Sequence, residues 1–192
     1  GTSAHDISAD LWEHGANVTL IQRASTTVVK SETLMELGIG SLYSEAALAA
    51  GITTERADLL DAATPFALKH IGGQALTCQI KDRDADFYAR LAAAGFQLDF
   101  GEDESGLGMK AVRNGGGFYI DIGASELIIA GAIKLRSGVG IERIQERSVI
   151  LTDGSELPAD LIIYATGYHA ANQGITKLIS QEVAEKVGKV WG

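Results

Sequence analysis

Gly1-Thr2-Ser3-Ala4-His5-Asp6-Ile7, continuing through Asp10-Leu11-Trp12 to Gly15 and then Val18-Thr19-Leu20-Ile21-Gln22-Arg23, decides the reading of this chain. Gly1-Thr2-Ser3-Ala4 fits the last four positions of G-x-G-x-x-G/A, with Gly1 as the second glycine and Ala4 as the closing small residue. A helix is expected roughly from Ala4 to His14, with Gly15 as its stop. Val18 to Ile21 reads as the strand that follows. The passage is thus read as a dinucleotide-binding βαβ unit without its opening strand.

The chemistry of such a unit is specific. The second glycine lets the backbone approach a pyrophosphate, and the small residue lets helix and strand pack closely. Free N–H groups at the helix start, together with the positive end of its dipole, hold the phosphates. Ser3 either bonds a phosphate oxygen or caps the helix, and the sequence leaves both open. About twenty residues on, an NAD site usually carries Asp or Glu for the ribose 2′-hydroxyl. Gln22-Arg23 stands there instead, followed by Ser25 and Thr26. No acid repels a 2′-phosphate, and Arg23 is placed to pair with one. The expected cofactor is NADP, with Gly1, Thr2, Ser3, Ala4, Arg23, Ser25 and Thr26 as candidate contacts.

Around this unit lies a chain of 192 residues, 46% hydrophobic and 21% charged, which is a folding rather than a disordered composition. The net charge of −9 argues against a nucleic-acid partner, which would need a basic face. One cysteine, Cys78, excludes an intramolecular disulfide and a cysteine-rich metal site. It reads as a buried apolar side chain rather than a reactive thiol. His14, His70 and His169 lack metal-ligand spacing, so no metal is expected. His5 reads as a cofactor contact or as a capping or surface residue. No apolar run reaches the ~20 residues of a membrane span, and a cytoplasmic location is expected.

The domain plan divides the chain at 1–28, 29–117, 118–168 and 169–192. The first part opens the NADP-binding domain, and the second is a helix-rich insertion. Its expected helices cover Ser44–Leu48, Thr54–Ala63, Pro65–Ile80 and Asp84–Ala94. Gly72-Gly73 is expected to break the third, with Phe66, Leu68 and Ile71 as its apolar contacts. Phe66, Phe87 and Tyr88 are expected in the core. Phe96, Leu98 and Phe100 alternate as a short edge strand, and Gly101 to Gly117 reads as loop. The third part resumes the domain. It has strands at Phe118–Ile122 and Ala132–Leu135, and a meander from Ile141–Ile144 and Ser148–Leu151, closed by the Asp153-Gly154 turn. Leu161–Ala165 reads as a buried parallel strand ending at Thr166-Gly167-Tyr168. The last part is expected to be helical from Ile175 to Val187. The fold class is therefore α/β: a Rossmann-like domain with a parallel sheet, a small antiparallel meander, a helical insertion and its first strand missing.

Taken together, Gly1-Thr2-Ser3-Ala4-His5-Asp6-Ile7, Gln22-Arg23, Gly117-Phe118-Tyr119-Ile120-Asp121-Ile122-Gly123, Asp153-Gly154-Ser155 and Ala165-Thr166-Gly167-Tyr168 resemble the flavin-containing monooxygenases. The resemblance is greatest to the bacterial and fungal branch related to plant indole-pyruvate monooxygenases. It implies an NADP-binding domain inserted in a larger FAD-binding fold, with Ala165, Thr166 and Gly167 turning near the dinucleotides where the chain returns to the FAD domain. It further implies that NADPH reduces FAD, O₂ adds to give a flavin hydroperoxide, and one oxygen passes to a small organic substrate. The family's FAD-binding glycine loop and its His- and Trp-bearing signature are absent from this sequence, so this chain alone is not expected to hold FAD or turn over. No residue here is assigned as catalytic. The alternatives are another two-dinucleotide flavoprotein oxidoreductase and a non-catalytic dinucleotide-binding module. Thioredoxin reductases carry a C-x-x-C pair in their NADP domain, and its absence sets that branch aside.

Overall fold

Short β-branched runs separated by long helical sequence give this chain two parallel strand pairs and one antiparallel meander. The computed structural model describes residues 1–167 and 170–188. Tyr168 and His169 of the expected turn, and the Trp191-Gly192 end, lie outside the described residues.

Helix α1 (Thr2–Glu13) buries His5 and Ser8 on its inner face and stops at Gly15, whose φ of 86° is the left-handed value that glycine takes without strain. Strand β1 (Thr19–Gln22) follows and pairs in parallel with β4 (Lys134–Ser137), Leu20 opposite Leu135. Strand β2 (Thr27–Lys30) pairs in parallel with β3 (Phe118–Asp121), Val28 opposite Tyr119. The sequence reading began the helical region at Val28, and the structure corrects this. Thr27, Val28 and Val29 are buried and β-branched, which suits a strand packed on both faces.

Between β2 and β3 the chain is helical. Helix α2 (Ser31–Thr33) runs into a π-helical stretch, Leu34–Ile39. Helices α3 (Glu45–Ala49) and α4 (Thr54–Ala62) are capped by Ser44 and Thr53, whose hydroxyls accept from Ala47 N–H at 3.1 Å and Arg56 N–H at 3.3 Å. Helix α5 (Phe66–Arg83) passes through Gly72-Gly73 without a break. The reason is packing: a Cβ on Gly73 would run into the carbonyl oxygen of Ser105, whereas Gly72 faces open space. Gly73→Ala is therefore expected to destabilise by about 1–3 kcal/mol through overpacking. Gly72→Ala should stabilise by about 1 kcal/mol through helix propensity. Denaturant melts of the two variants check this, and equal shifts would contradict the packing argument.

Helix α6 (Ala85–Ala93) buries Phe87, Tyr88 and Leu91, but Phe66, Leu68 and Ile71 of α5 are more than half exposed, contrary to expectation. Buried Thr77 and Ile80 make the inward face of α5 instead, and Cys78, between them in sequence, is exposed rather than buried. Phe96–Phe100 contributes a single bridge, Thr26 to Leu98, in place of an edge strand. Within the expected loop, Gly106–Asn114 forms helix α7, closed by Gly115 in the left-handed conformation. Its glycines at 106 and 108 hid a helix whose inward side is carried by Met109.

After β3, Asp121 Oδ1 accepts from Gly123 and Ser125 N–H and so starts helix α8 (Ala124–Ile129). Strands β5 (Ile141–Ile144), β6 (Ser148–Leu151) and β7 (Glu156–Pro158) form the antiparallel meander, turning at Gly154. Leu161–Ala165 is not a strand: no described strand pairs with it, and Leu161 and Tyr164 are 71% and 68% exposed. A parallel strand of that composition is buried only when a neighbour flanks it, and here none does. The single helix expected over Ile175–Val187 is two, α9 (Ala171–Leu178) and α10 (Gln181–Val187), because Ser180 adopts extended backbone and caps the second.

Packed α/β layers of this kind share one core. Val28, Val29, Phe87, Leu91, Tyr119 and Ile133 sit at its centre, and Ala4 and Ala9 of α1 pack against it. Among the described residues no helix is long and apolar enough to cross a membrane.

Candidate functional site

Helix α1 starts at Thr2, the second residue of the sequence. Gly1 occupies the cap position, no side chain caps the helix, and Gly1, Thr2 and Ser3 are exposed. The first intrahelical bond runs from His5 N–H to Gly1 C=O at 3.4 Å, so the N–H groups of Thr2, Ser3 and Ala4 precede the helical ladder. Such a terminus presents donors and a positive dipole end to an anion. Of the two roles left open for Ser3, capping is not the one seen, since the residue lies inside the helix.

Three contacts fix this terminus. Thr2 Oγ1 donates to Phe118 C=O at 3.1 Å. His5 Nδ1 donates to Gly1 C=O at 2.8 Å. The His5 ring stacks on Tyr119 with centroids 4.3 Å apart and meets Phe96 edge-on at 5.6 Å. His5 is thus a buried core residue, 2% exposed, and neither a surface nor a cofactor-facing side chain. Burial is the main reason its pKa falls to about 4, with the Gly1 carbonyl bond opposing, so the ring is neutral at pH 7. Tyr119 in turn accepts from Ile122 N–H at 3.2 Å, and burial pushes its phenol up to about 12.

The other candidate residues divide. Arg23, immediately after β1, is exposed and takes part in no ion pair among the described residues. Ser25 is exposed and bonds Asp99. Thr26 is 4% exposed; its N–H donates to Gln97 C=O at 3.0 Å and its hydroxyl accepts from Gln22 Nε2 at 3.4 Å. Thr26 therefore ties β2 to the 97–98 segment through its own polar groups. The next residue, Thr27, donates its N–H to Gly117 C=O at 3.0 Å, and Gly117–Phe118 also borders Gly1. The loop, the Arg23–Thr26 turn and the start of β3 thus converge. Ala165, Thr166 and Gly167 lie in the segment after β7 that is neither helix nor strand, and among the described residues no hydrogen bond joins them to the loop.

A charged pair at this convergence escaped the sequence reading. Lys110 of α7 reaches both oxygens of Asp99, at 2.6 and 2.5 Å, and is 13% exposed at its side chain. Asp99 also accepts from Thr27 Oγ1 at 3.2 Å and Gly101 N–H at 2.9 Å. Burial opposes its ionisation, but these donors, with Lys110 foremost, outweigh it and hold the carboxyl below its usual range. The only sequence signal was the Asp99 carboxylate inside an alternating apolar run. Lys110 gave none, because its helix read as loop.

One shallow concavity, about 440 Å³, is lined by Glu32, Met35, Glu36, Gly40 and Ser44, none of them a residue of the loop. Among the described residues no group of three or more His, Cys, Asp or Glu is placed to hold a metal ion. Comparison with protein-family models and with curated proteins finds no match to this chain.

Proposed function

We propose that this chain is the NADP-binding part of a flavin-dependent monooxygenase, built on a Rossmann-like domain. The observation that carries the reading is the order of α1, with Gly1 at its cap position and its stop at Gly15, then β1, then Arg23, which makes no ion pair among the described residues, with no acid in the ribose position. In this reading the pyrophosphate rests on Thr2, Ser3 and Ala4 N–H, and Arg23 takes the 2′-phosphate. Bound NADPH supplies a hydride, and FAD, held by regions outside these residues, supplies the oxygen chemistry. A small organic substrate and O₂ complete the proposed reaction.

Arg23→Ala in the full-length protein is expected to weaken NADPH by roughly 1.5–3 kcal/mol through the lost charged hydrogen bonds, and to leave NADH nearly unchanged. Direct binding and steady-state kinetics with both cofactors test it. Equal losses for the two would remove Arg23 from the site.

A further inference from the structure

We infer that the outer face of α5 is a self-association surface, on which a second copy of this chain packs its own α5 antiparallel to the first. The helix has two sides. Thr77 and Ile80 carry the side turned to the core. On the opposite side Leu68, Ile71, Ala75 and Cys78 are exposed, Leu68 by 52% and Ile71 by 56%. Their spacing of i, i+3, i+7 and i+10 is that of an a/d seam between two helices, not of scattered surface residues. Gly72 beside the seam faces open space, so a second backbone can approach closely there. Gln74 and Gln79 flank it, so the seam is free of charge although the chain carries a net charge of −9.

The seam fits a second copy of itself in one direction. Its large residues, Leu68 and Ile71, lie toward the start of α5, and its small ones, Ala75 and Cys78, toward the end. Antiparallel packing sets Leu68 against Cys78 of the second copy and Ile71 against Ala75 of the second copy. Each layer then pairs a large side chain with a small one. A parallel pair would crowd leucine on leucine at one end and leave alanine on alanine at the other. Charge selects the same direction. The start of α5 has no side-chain cap and no acidic residue in its first turn. Asp82, the next position of the seam, is exposed and takes part in no ion pair among the described residues. In the antiparallel register Asp82 of each copy comes to the start of the other's α5, where a carboxylate meets the positive end of the helix dipole. The two-fold axis makes this contact twice. An interface confined to one helix face belongs to the small, transient class, so the dimer is concentration-dependent.

Sedimentation velocity on the full-length protein should show a dimer whose share grows with loading up to ~0.5 mM. Ile71→Glu puts a charge into the seam and should weaken the dimer by roughly tenfold or more. Asp82→Asn should weaken it by roughly threefold. Both positions are exposed, so melts of the two variants should match the wild type. Leu68→Cys tests the direction. Within one helix positions 68 and 78 lie about 15 Å apart, too far for a disulfide. With oxidised glutathione as the oxidant, this variant should form a covalent dimer joined between positions 68 and 78, identified by peptide mass spectrometry, and the wild type should not. A Cys78–Cys78 bond in the wild type would mean parallel packing and overturns the arrangement. Protein that stays monomeric at every loading, or a dimer indifferent to Ile71→Glu, overturns the surface itself. So does a monomer whose Cys78 resists a thiol reagent, since another part of the protein then covers α5.

Discussion

Tyr119→Ala is expected to destabilise the fold by about 3–5 kcal/mol, the range for truncating a fully buried aromatic. Tyr119 is 0% exposed, lies on β3 of the β2–β3 pair, and stacks on His5. Removing its ring leaves a cavity under α1, takes away the platform of the His5 imidazole, and strips Ile122 N–H of its acceptor. Three neighbours lose contact at once, and none can collapse into the space without moving the helix whose N-terminus is the candidate site. For a domain of this size the melting temperature should fall by roughly 10 °C. Tyr119→Phe keeps the ring and loses only the hydroxyl, so it should cost about 1 kcal/mol. Thermal melts of the two variants check the division, and a drop for Phe as large as that for Ala would place the stabilisation in the hydroxyl instead.

Acid should weaken the fold through His5 well before most carboxylates titrate. The folded ring has a pKa of about 4, below the ordinary 6.5. Above pH 6.5 both folded and unfolded chains carry it neutral, and its contribution to stability is complete. Between pH 6.5 and 4 the unfolded chain takes up the proton and the folded one does not, so stability falls as pH falls through that window. The loss by pH 4 is on the order of 3 kcal/mol. His5→Asn has no titrating group and retains a donor for Gly1 C=O. Denaturant midpoints measured from pH 7 to pH 4 should therefore decline less steeply for the variant. Parallel profiles for the two proteins would show that His5 does not control this window.

What could be read in advance followed from how local the cause was. Gly15 stops α1 and Asp153-Gly154 turns the meander because a positive φ is a property of the residue itself. Thr19–Gln22, Phe118–Asp121 and Ser148–Leu151 could be read as strands because each signal is carried in a few consecutive, mostly apolar positions. Three misreadings had distant causes. Gly73 looks like a helix breaker until Ser105 is seen to press against it. Thr27–Lys30 looks like the start of a helical segment until β3 lies beside it. Leu161–Ala165 has the composition of a buried strand, and composition does not supply the neighbour that buries it. At the site, the helix after Gly1 and the strand before Arg23 were legible because the Gly15 stop and the apolar run at Val18–Ile21 are local signals. His5 was not, since its burial depends on Tyr119 and Phe96, and the Lys110–Asp99 pair was not, since α7, which carries Lys110, read as loop.

The placement of the helices between paired strands has a consequence for how the chain comes off the ribosome. Thr19 pairs with Lys134 and Thr27 with Phe118, so the whole helical segment lies between each strand and its partner. Closing such a loop costs entropy before any ladder bond repays it, and topologies of this kind fold slowly for their size. At ~5–20 residues per second of synthesis, β1 waits on the order of ten seconds for β4 to be made. During that interval Leu20, Val28 and Val29, all buried in the finished fold, stand on edges with nothing beside them. The nascent chain thus presents a sticky, unmatched strand for most of its production, and a chaperone that shields extended apolar segments has its substrate here before the protein has its fold.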